Sequence, residues 1–315
     1  MYRIGIDLGG TNVAVGIVDN DNKIVIKGSV PTDAKRHPDY IIKDMASLCE
    51  KLLKEANILL CQIEMIGIAS PGAVDSANGV ITYAGNINMI DYPIVEKLKS
   101  HLDVKRVYVE NDANAAAMGE AVAGSGKGVN SFVMITLGTG VGGGIVINGK
   151  IYSGFNGAGG EIGHMVIEHN GLQCTCGRRG CWETYSSATG LITMTKESMV
   201  VNRRSLMWKL VDGNIENVSG KTAFQAAAKG DKSAREVCAQ YTDYLACGLV
   251  NIINIFQPEM ISIGGGVSKE GANLLDPLVE LVERDQFTRR NSKKTEIRVA
   301  ELGNDAGIIG ASLLG

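Results

Sequence analysis

His164, Cys174, Cys176 and Cys181 place one imidazole and three thiols within eighteen residues, on a stretch rich in glycine. Four such donors suit a tetrahedral Zn²⁺ in a closed structural site, with no position left to activate water. The rival chemistry is a reactive thiol pair or a disulfide, which a reducing compartment disfavours. His164 taken alone reads equally as a core or capping histidine. The three nearby cysteines tip it towards a ligand. A second constellation is Glu110-Asn111-Asp112, a carboxylate between a strand-like run and the alanine-rich stretch 113–123. Asp112 there can accept the proton of a hydroxyl attacking a γ-phosphate. It can also cap the helix, because Asp is favoured at an N-cap. The two roles are compatible.

Glycine is the third signal. Forty glycines against six prolines in 315 residues is nearly twice the usual share of about 7%. With no collagen period, the excess implies loops where backbone approaches a ligand closely. Asp7-Leu8-Gly9-Gly10-Thr11-Asn12 follows a strand-like run and offers amides, a hydroxyl and a carboxylate. The amides would face a phosphate, and Asp7 would hold Mg²⁺ directly or through water. The competing reading is a plain glycine hairpin. Gly138-Thr139-Gly140-Val141-Gly142-Gly143 satisfies G-x-G-x-x-G, but a strand follows it where the dinucleotide fingerprint needs a helix. No Walker sequence occurs either. A third glycine run, Gly264-Gly265-Gly266, follows a strand at 260–263.

The elements that carry these loops repeat. Positions 2–7 and 13–18 read as strands around the first glycine turn, with a third strand near 24–26. Apolar residues at 41, 42, 45, 48, 52 and 53 fall at helical spacing. Strands are expected at 65–69 and 106–110. Strand, glycine turn and strand then recur over 132–147, and Asn148-Gly149 signals a tight hairpin. Such recurrence implies a duplicated α/β domain. A long helix is expected from about 233 to 256, and a final one over 305–311. The expected domains are 1–117 and 118–299, with the C-terminal helix of 300–315 packing back onto the first.

Composition narrows the classes. Hydrophobic residues at 45% and charged residues at 21% exclude disorder. A net charge of −3 argues against a broad nucleic-acid surface, and the run Arg284, Arg289, Arg290, Lys293, Lys294 reads as a solvated loop. No apolar run approaches the roughly 20 residues that cross a bilayer, and the start lacks a signal-peptide pattern. The expectation is a cytoplasmic protein with no membrane partner. Cys49, Cys61, Cys238 and Cys247 are expected to be ordinary buried thiols.

Taken together, the loops at Asp7, at Gly138 and at Gly264 resemble the superfamily of sugar kinases, Hsp70 and actin. In that superfamily the first two loops embrace the ATP phosphates and the third lies by the adenosine. The resemblance implies a two-domain actin-like, ribonuclease H-like ATPase fold with an interdomain active-site cleft. It assigns Asp7, Gly9, Gly10, Thr11, Asn12, Gly138, Thr139, Gly140, Gly264, Gly265 and Gly266 to ATP and Mg²⁺. The stretch 138–163, with Glu161-Ile162-Gly163-His164, Cys174-Thr175-Cys176-Gly177 and Gly180-Cys181-Trp182-Glu183, further resembles the ROK family (repressor, open reading frame, kinase). That resemblance covers essentially the whole chain. It implies His164, Cys174, Cys176 and Cys181 as zinc ligands and Asp112 as general base. Asn111, Glu161, His164 and Glu183, with Gly72 and Asn86, would bind the sugar.

The implied partners are a small sugar and ATP, and the implied assembly is a homodimer or homotetramer. The nucleotide loops are expected to stand apart from the metal cluster. ROK regulators carry an added helix-turn-helix, for which no room is expected before a phosphate loop at Asp7. Glucose is the first expectation for the hexose, because 157–164 and 186–191 resemble bacterial glucokinases. Those enzymes often carry a tryptophan after the position of Asn86, where this chain reads Ile87-Asn88-Met89-Ile90. An N-acetylhexosamine (GlcNAc or ManNAc), mannose, allose or fructose therefore stays open.

Overall fold

Apolar residues at alternate positions of Tyr2–Leu8 (β1) bury Ile4, Ile6 and Leu8 completely. In the computed structural model, which describes residues 1–315, β1 pairs antiparallel with Asn12–Val18 (β2). That strand in turn pairs with Ile24–Pro31 (β3). On its other side β1 runs parallel to Ile63–Ser70 (β4), and β4 runs parallel to Val107–Asn111 (β8). Pro38–Glu55 (α1) precedes β4. Three short antiparallel strands, Ala73–Asp75 (β5), Val80–Ala84 (β6) and Met89–Tyr92 (β7), lie between β4 and β8, with Ile94–Lys99 (α2) after them. Central β4 reads as an almost unbroken buried run, whereas edge strand β3 alternates with solvent. Helix α1 starts with Pro38 at its first position and turns Ile41, Ile42, Met45, Leu48, Leu52 and Leu53 onto the sheet core.

Asp112–Ala123 (α3) leads to Phe132–Leu137 (β9), Val141–Ile147 (β10) and Lys150–Ile151 (β11). Helices follow at Trp182–Ser186 (α4), Ala188–Val201 (α5), Met207–Leu210 (α6), Thr222–Ala228 (α7) and Lys232–Phe256 (α8). The chain ends with Met260–Gly265 (β12), Ala272–Asp285 (α9), Glu296–Val299 (β13) and Ala306–Ala311 (α10). The two five-stranded sheets have the orders β3-β2-β1-β4-β8 and β11-β10-β9-β12-β13. Numbered within its own set, each runs third, second, first, fourth, fifth. That is the duplication the sequence implies. Asn148 and Gly149 both take positive φ, 53° and 72°, as the hairpin signal requires.

By contacts, one compact unit comprises Met1–Met134, Gly144–Gly160 and Glu301–Gly315, and the other Ile135–Gly143 and Glu161–Ala300. Within the first unit, α10 packs on α3, β1 and β4. A Cβ on Gly5 or Gly67 would strike the carbonyls of Ile308 or Ala311, so glycine on adjacent strands lets α10 lie against the sheet. The fully buried Glu120 of α3 ties this corner by accepting the amides of Ser125, Glu301 and Leu302. Within the second unit, α8 holds α4: Trp182 Nε1 donates to Tyr244 O at 3.0 Å and Tyr241 OH to Ser186 O at 2.7 Å. Only Cys49 fits the expectation of a fully buried thiol; Cys61 and Cys247 are exposed and Cys238 half-buried. No helix is long and apolar enough to cross a membrane.

Candidate active site

Because β1, β4 and β8 are parallel, their carboxyl ends share one edge, where α/β sheets bind ligands. Leu8, Ser70 and Asn111 end there, so the first glycine loop, Gly72 and Asp112 follow at the same edge. The Gly9 amide closes its loop on Asn12 O at 2.9 Å. Asn86 reaches Gly10, its Nδ2 lying 3.3 Å from where a Cβ would stand. Asn111 Nδ2 donates to Gly72 O at 3.0 Å. Thus Gly72, Asn111 and Asp112 form one group, and Gly10 and Asn86 another.

The cap of α3 is Asn111, not Asp112. Asn111 Oδ1 accepts the amides of Ala113 and Asn114 at 3.0 and 3.2 Å, and Asp112 is the first helical residue. Asp112 Oδ1 accepts only the near amide of Ala113, at 2.8 Å, among these capping contacts. The neighbouring Glu110 is 7% exposed, and its carboxylate is taken up by the Asn111 amide, Asn114 Nδ2 and Ser76 Oγ. The cap of α3 thus falls to Asn111, and Glu110 is held by these three donors.

Burial, and then the charge of Asp112, raise the Asp7 carboxyl to about 6. A raised acid favours its protonated form in the fold. Its stabilising contribution is therefore complete below about pH 4 and lost as pH rises through about 6. The Asp112 charge thus bears on Asp7, a charge pattern that a divalent cation would relieve. Asp7→Asn is accordingly expected to melt higher than wild type at pH 7.5, by about 2–4 °C per kcal/mol recovered. The advantage should vanish near pH 4, as thermal melts across pH would show.

In the second unit the Gly138 amide donates to Gly140 O at 3.0 Å, closing the second loop. Three groups from α4 and α5 brace it. Ala188 N donates to Gly138 O at 2.8 Å, Thr189 Oγ1 to Thr139 O at 2.8 Å, and Glu183 Oε2 accepts the Val141 amide at 3.0 Å. A Cβ on Gly140 would collide with that carboxylate, so glycine is required there. Gly265 of the third run lies against the backbone of Leu137, just before the loop, while Gly266 faces open space.

The metal-ligand set is assembled. The four donor atoms lie within 4.8 Å of one another, with Cys174 Sγ 3.7 Å from His164 Nδ1 and Cys176 Sγ 3.6 Å from Cys181 Sγ. Thiolates about 2.3 Å from a zinc ion stand about 3.8 Å apart in a tetrahedron, and a disulfide would need about 2.05 Å. Burial opposes ionising Cys174, but hydrogen bonds from Cys176, Cys181 and His164 outweigh it and bring the thiol down to about 7. Cys181 is pushed up to about 12, by burial first and then by its neighbours. A dication removes that conflict, because it favours every thiolate at once. His164 N donates to Glu161 O at 3.1 Å, so the exposed Glu161 is hinged to the ligand. Contrary to expectation, the second loop does not stand apart from the cluster. Cys181 precedes α4, and Glu183, two residues on, bonds the loop directly. A contact across 42 positions leaves no local sequence signal.

The model of the ROK family matches residues 3–315. A glucokinase of Halalkalibacterium halodurans is 38% identical over 315 residues, which cover 99% of this chain and 94% of that protein. The crystal structure of a ROK family glucokinase from Streptomyces griseus, in complex with glucose and AMPPNP, superposes with a TM-score of 0.78 at 32% identity, covering 100% of this chain and 99% of that one. A xylose repressor of Caldicellulosiruptor bescii is 28% identical over 309 residues, covering 98% of this chain and 76% of the repressor. With 38% identity to a glucokinase over nearly its full length, the duplicated actin-like α/β fold and the glycine loops belong to a member of the ROK family, a sugar kinase of the hexokinase type.

Proposed function

We propose that the chain transfers the γ-phosphoryl group of ATP to the 6-hydroxyl of D-glucose, with Asp112 as general base. The observation that carries the reading is Asp112 itself. It stands at the carboxyl edge of β8 with the cap role filled by Asn111 and the neighbouring Glu110 fully engaged. The similar Streptomyces griseus glucokinase, whose structure holds glucose and AMPPNP, supports the choice of sugar and donor.

In this reading Gly9, Gly10, Thr11 and Asn12, with Gly138, Thr139 and Gly140, offer amides and a hydroxyl to the phosphates, and Gly264, Gly265 and Gly266 lie by the adenosine. Asp7 would hold Mg²⁺, which when bound offsets phosphate charge. Asn111, Glu161, His164 and Glu183, with Gly72 and Asn86, orient the sugar. Asp112 accepts the proton of the 6-hydroxyl as its oxygen bonds phosphorus and the bond to ADP breaks.

His164, Cys174, Cys176 and Cys181 would hold a structural Zn²⁺. Nδ1 of His164 faces the cluster, which leaves Nε2 for the sugar, its tautomer fixed by the metal. The expectation of a homodimer or homotetramer rests on the family resemblance, and that of a cytoplasmic location on the reading of the cysteines as reduced thiols. A sugar-responsive regulator would have no use for a general base set beside a phosphate loop.

A coupled ADP-release assay over glucose, N-acetylglucosamine, N-acetylmannosamine, mannose, allose and fructose tests the reading. Glucose should give the largest kcat/KM by about tenfold or more. A single extra or missing group in a polar pocket is worth at least that much. A higher value for another hexose would overturn glucose as the substrate.

A further inference from the structure

We infer that Thr32 is a positioning residue for the first phosphate loop, fixing the direction in which two of its peptide groups point. The inference rests on the assignment of that loop to phosphate. Thr32 follows β3 and has no exposed surface, so no ligand reaches it. Its hydroxyl donates to Gly9 O at 2.6 Å and its amide to Thr11 O at 2.8 Å. One residue on β3's end thus grips the loop at two carbonyls.

The consequence follows from peptide geometry. In a trans peptide the carbonyl and the following amide point in opposite directions. Holding Gly9 O on the Thr32 side aims the Gly10 amide away from it, and holding Thr11 O does the same for the Asn12 amide. Amides turned outward from a strand end are what an anion needs. The Gly9-Gly10 unit is also the one most able to flip, since neither residue has a Cβ to resist positive φ. Sequence supplies the flexible loop, and the buried hydroxyl removes the wrong orientation.

Thr32 is itself backed. Arg36 Nη2 donates to Thr32 O at 3.0 Å and pairs with Asp44 Oδ2 at 2.8 Å, while Arg36 Nε lies 3.3 Å from Asp33 Oδ2. The guanidinium spans the turn after β3 and α1, so the grip is anchored to a helix packed on the core.

The test is isothermal titration of Mg·ADP, and separately of glucose, into wild type and variants. Thr32→Val keeps the shape and loses the hydroxyl. It should bind Mg·ADP about tenfold more weakly, the ratio expected for one buried hydrogen bond and the carbonyl it leaves unpaired. Glucose affinity should stay within about twofold. Thr32→Ser should restore Mg·ADP binding, which a role in packing alone would not. Arg36→Met, a change nearer the surface, should weaken Mg·ADP by about threefold, about half the tenfold effect on a free-energy scale. It carries the test if Thr32→Val does not fold. Unchanged Mg·ADP affinity in folded Thr32→Val, or in Arg36→Met where that variant decides, overturns the role of Thr32. No Mg·ADP binding by wild type would instead overturn the phosphate-loop assignment itself.

Discussion

Replacing Asp112 by Asn is expected to lower kcat by about 10²–10⁴-fold, the usual range for a lost general base. The substitution is close to isosteric. Asn keeps an oxygen for the Ala113 amide, which Asp112 Oδ1 now accepts at 2.8 Å, and Asn111 continues to cap α3. The fold should therefore survive. It should even gain, because the Asp112 charge is one of the two causes that raise Asp7. Removing that charge lets Asp7 ionise at lower cost, so the variant should melt no lower than wild type at neutral pH. Steady-state ADP release and a thermal melt on the same preparation separate chemistry from folding. Glu110→Gln is the contrasting case. It disturbs a buried acceptor of three hydrogen bonds and should cost stability rather than act on the proton transfer alone.

What the sequence disclosed, and what it withheld, divides along contact distance. The cluster was legible because its four candidate ligands all lie between His164 and Cys181, so that spacing, read with the family resemblance, suggested a shared site. The β1 and β9 turns were legible because each is a strand, a glycine loop and a returning strand in one short segment. The C-terminal helix α10 packs on β1 and α3. Asp112 was ambiguous for a local reason: Asn and Asp are both good caps, and only the hydrogen bonds of Asn111 decide between them.

The bonds that hold the site were invisible. Thr32 bonds Gly9 from 23 positions away, Glu183 bonds Val141 from 42, and Glu120 bonds Leu302 from 182. A threonine or glutamate carries no mark of such a partner. The small sheet β5-β6-β7 was missed because strands of three to five residues are too short for alternation to show.

The second large effect concerns the metal. Cys176→Ser replaces a soft thiolate by a weak ligand and is expected to release the ion, raising KM for the sugar by about 100-fold or more. Between Met165 and Cys181 the chain has only two isolated bridges, Val166 with Cys181 and Gln173 with Arg179. Ordering such a segment costs about 1–2 kcal/mol per residue in backbone entropy, which turn hydrogen bonds such as Ile167 N to Gly180 O at 3.0 Å and Cys174 N to Arg178 O at 2.8 Å offset only in part. Glu161 and His164 at one end, and Glu183 at the other, then lose their positions together.

The nucleotide should also feel the change, by about tenfold, because Glu183 bonds the Val141 amide and one such bond is worth about that ratio. Ala188 and Thr189 still brace the same loop, which limits the loss. Metal analysis of purified protein beside sugar kinetics checks both halves. Full activity with less than about one-tenth equivalent of zinc would contradict a structural ion, since a closed site binds it stoichiometrically.

The central claim is phosphoryl transfer from ATP to a hexose 6-hydroxyl, and the most direct measurement follows phosphorus itself. Wild-type enzyme with Mg·ATP and glucose is monitored by phosphorus NMR, with and without the sugar. The expected result is loss of the γ-phosphate signal, matched one for one by a phosphomonoester that glucose 6-phosphate dehydrogenase oxidises. Without sugar the signal should persist. A γ-phosphate that is released as inorganic phosphate at the same rate with or without glucose, or that never leaves ATP, would contradict it.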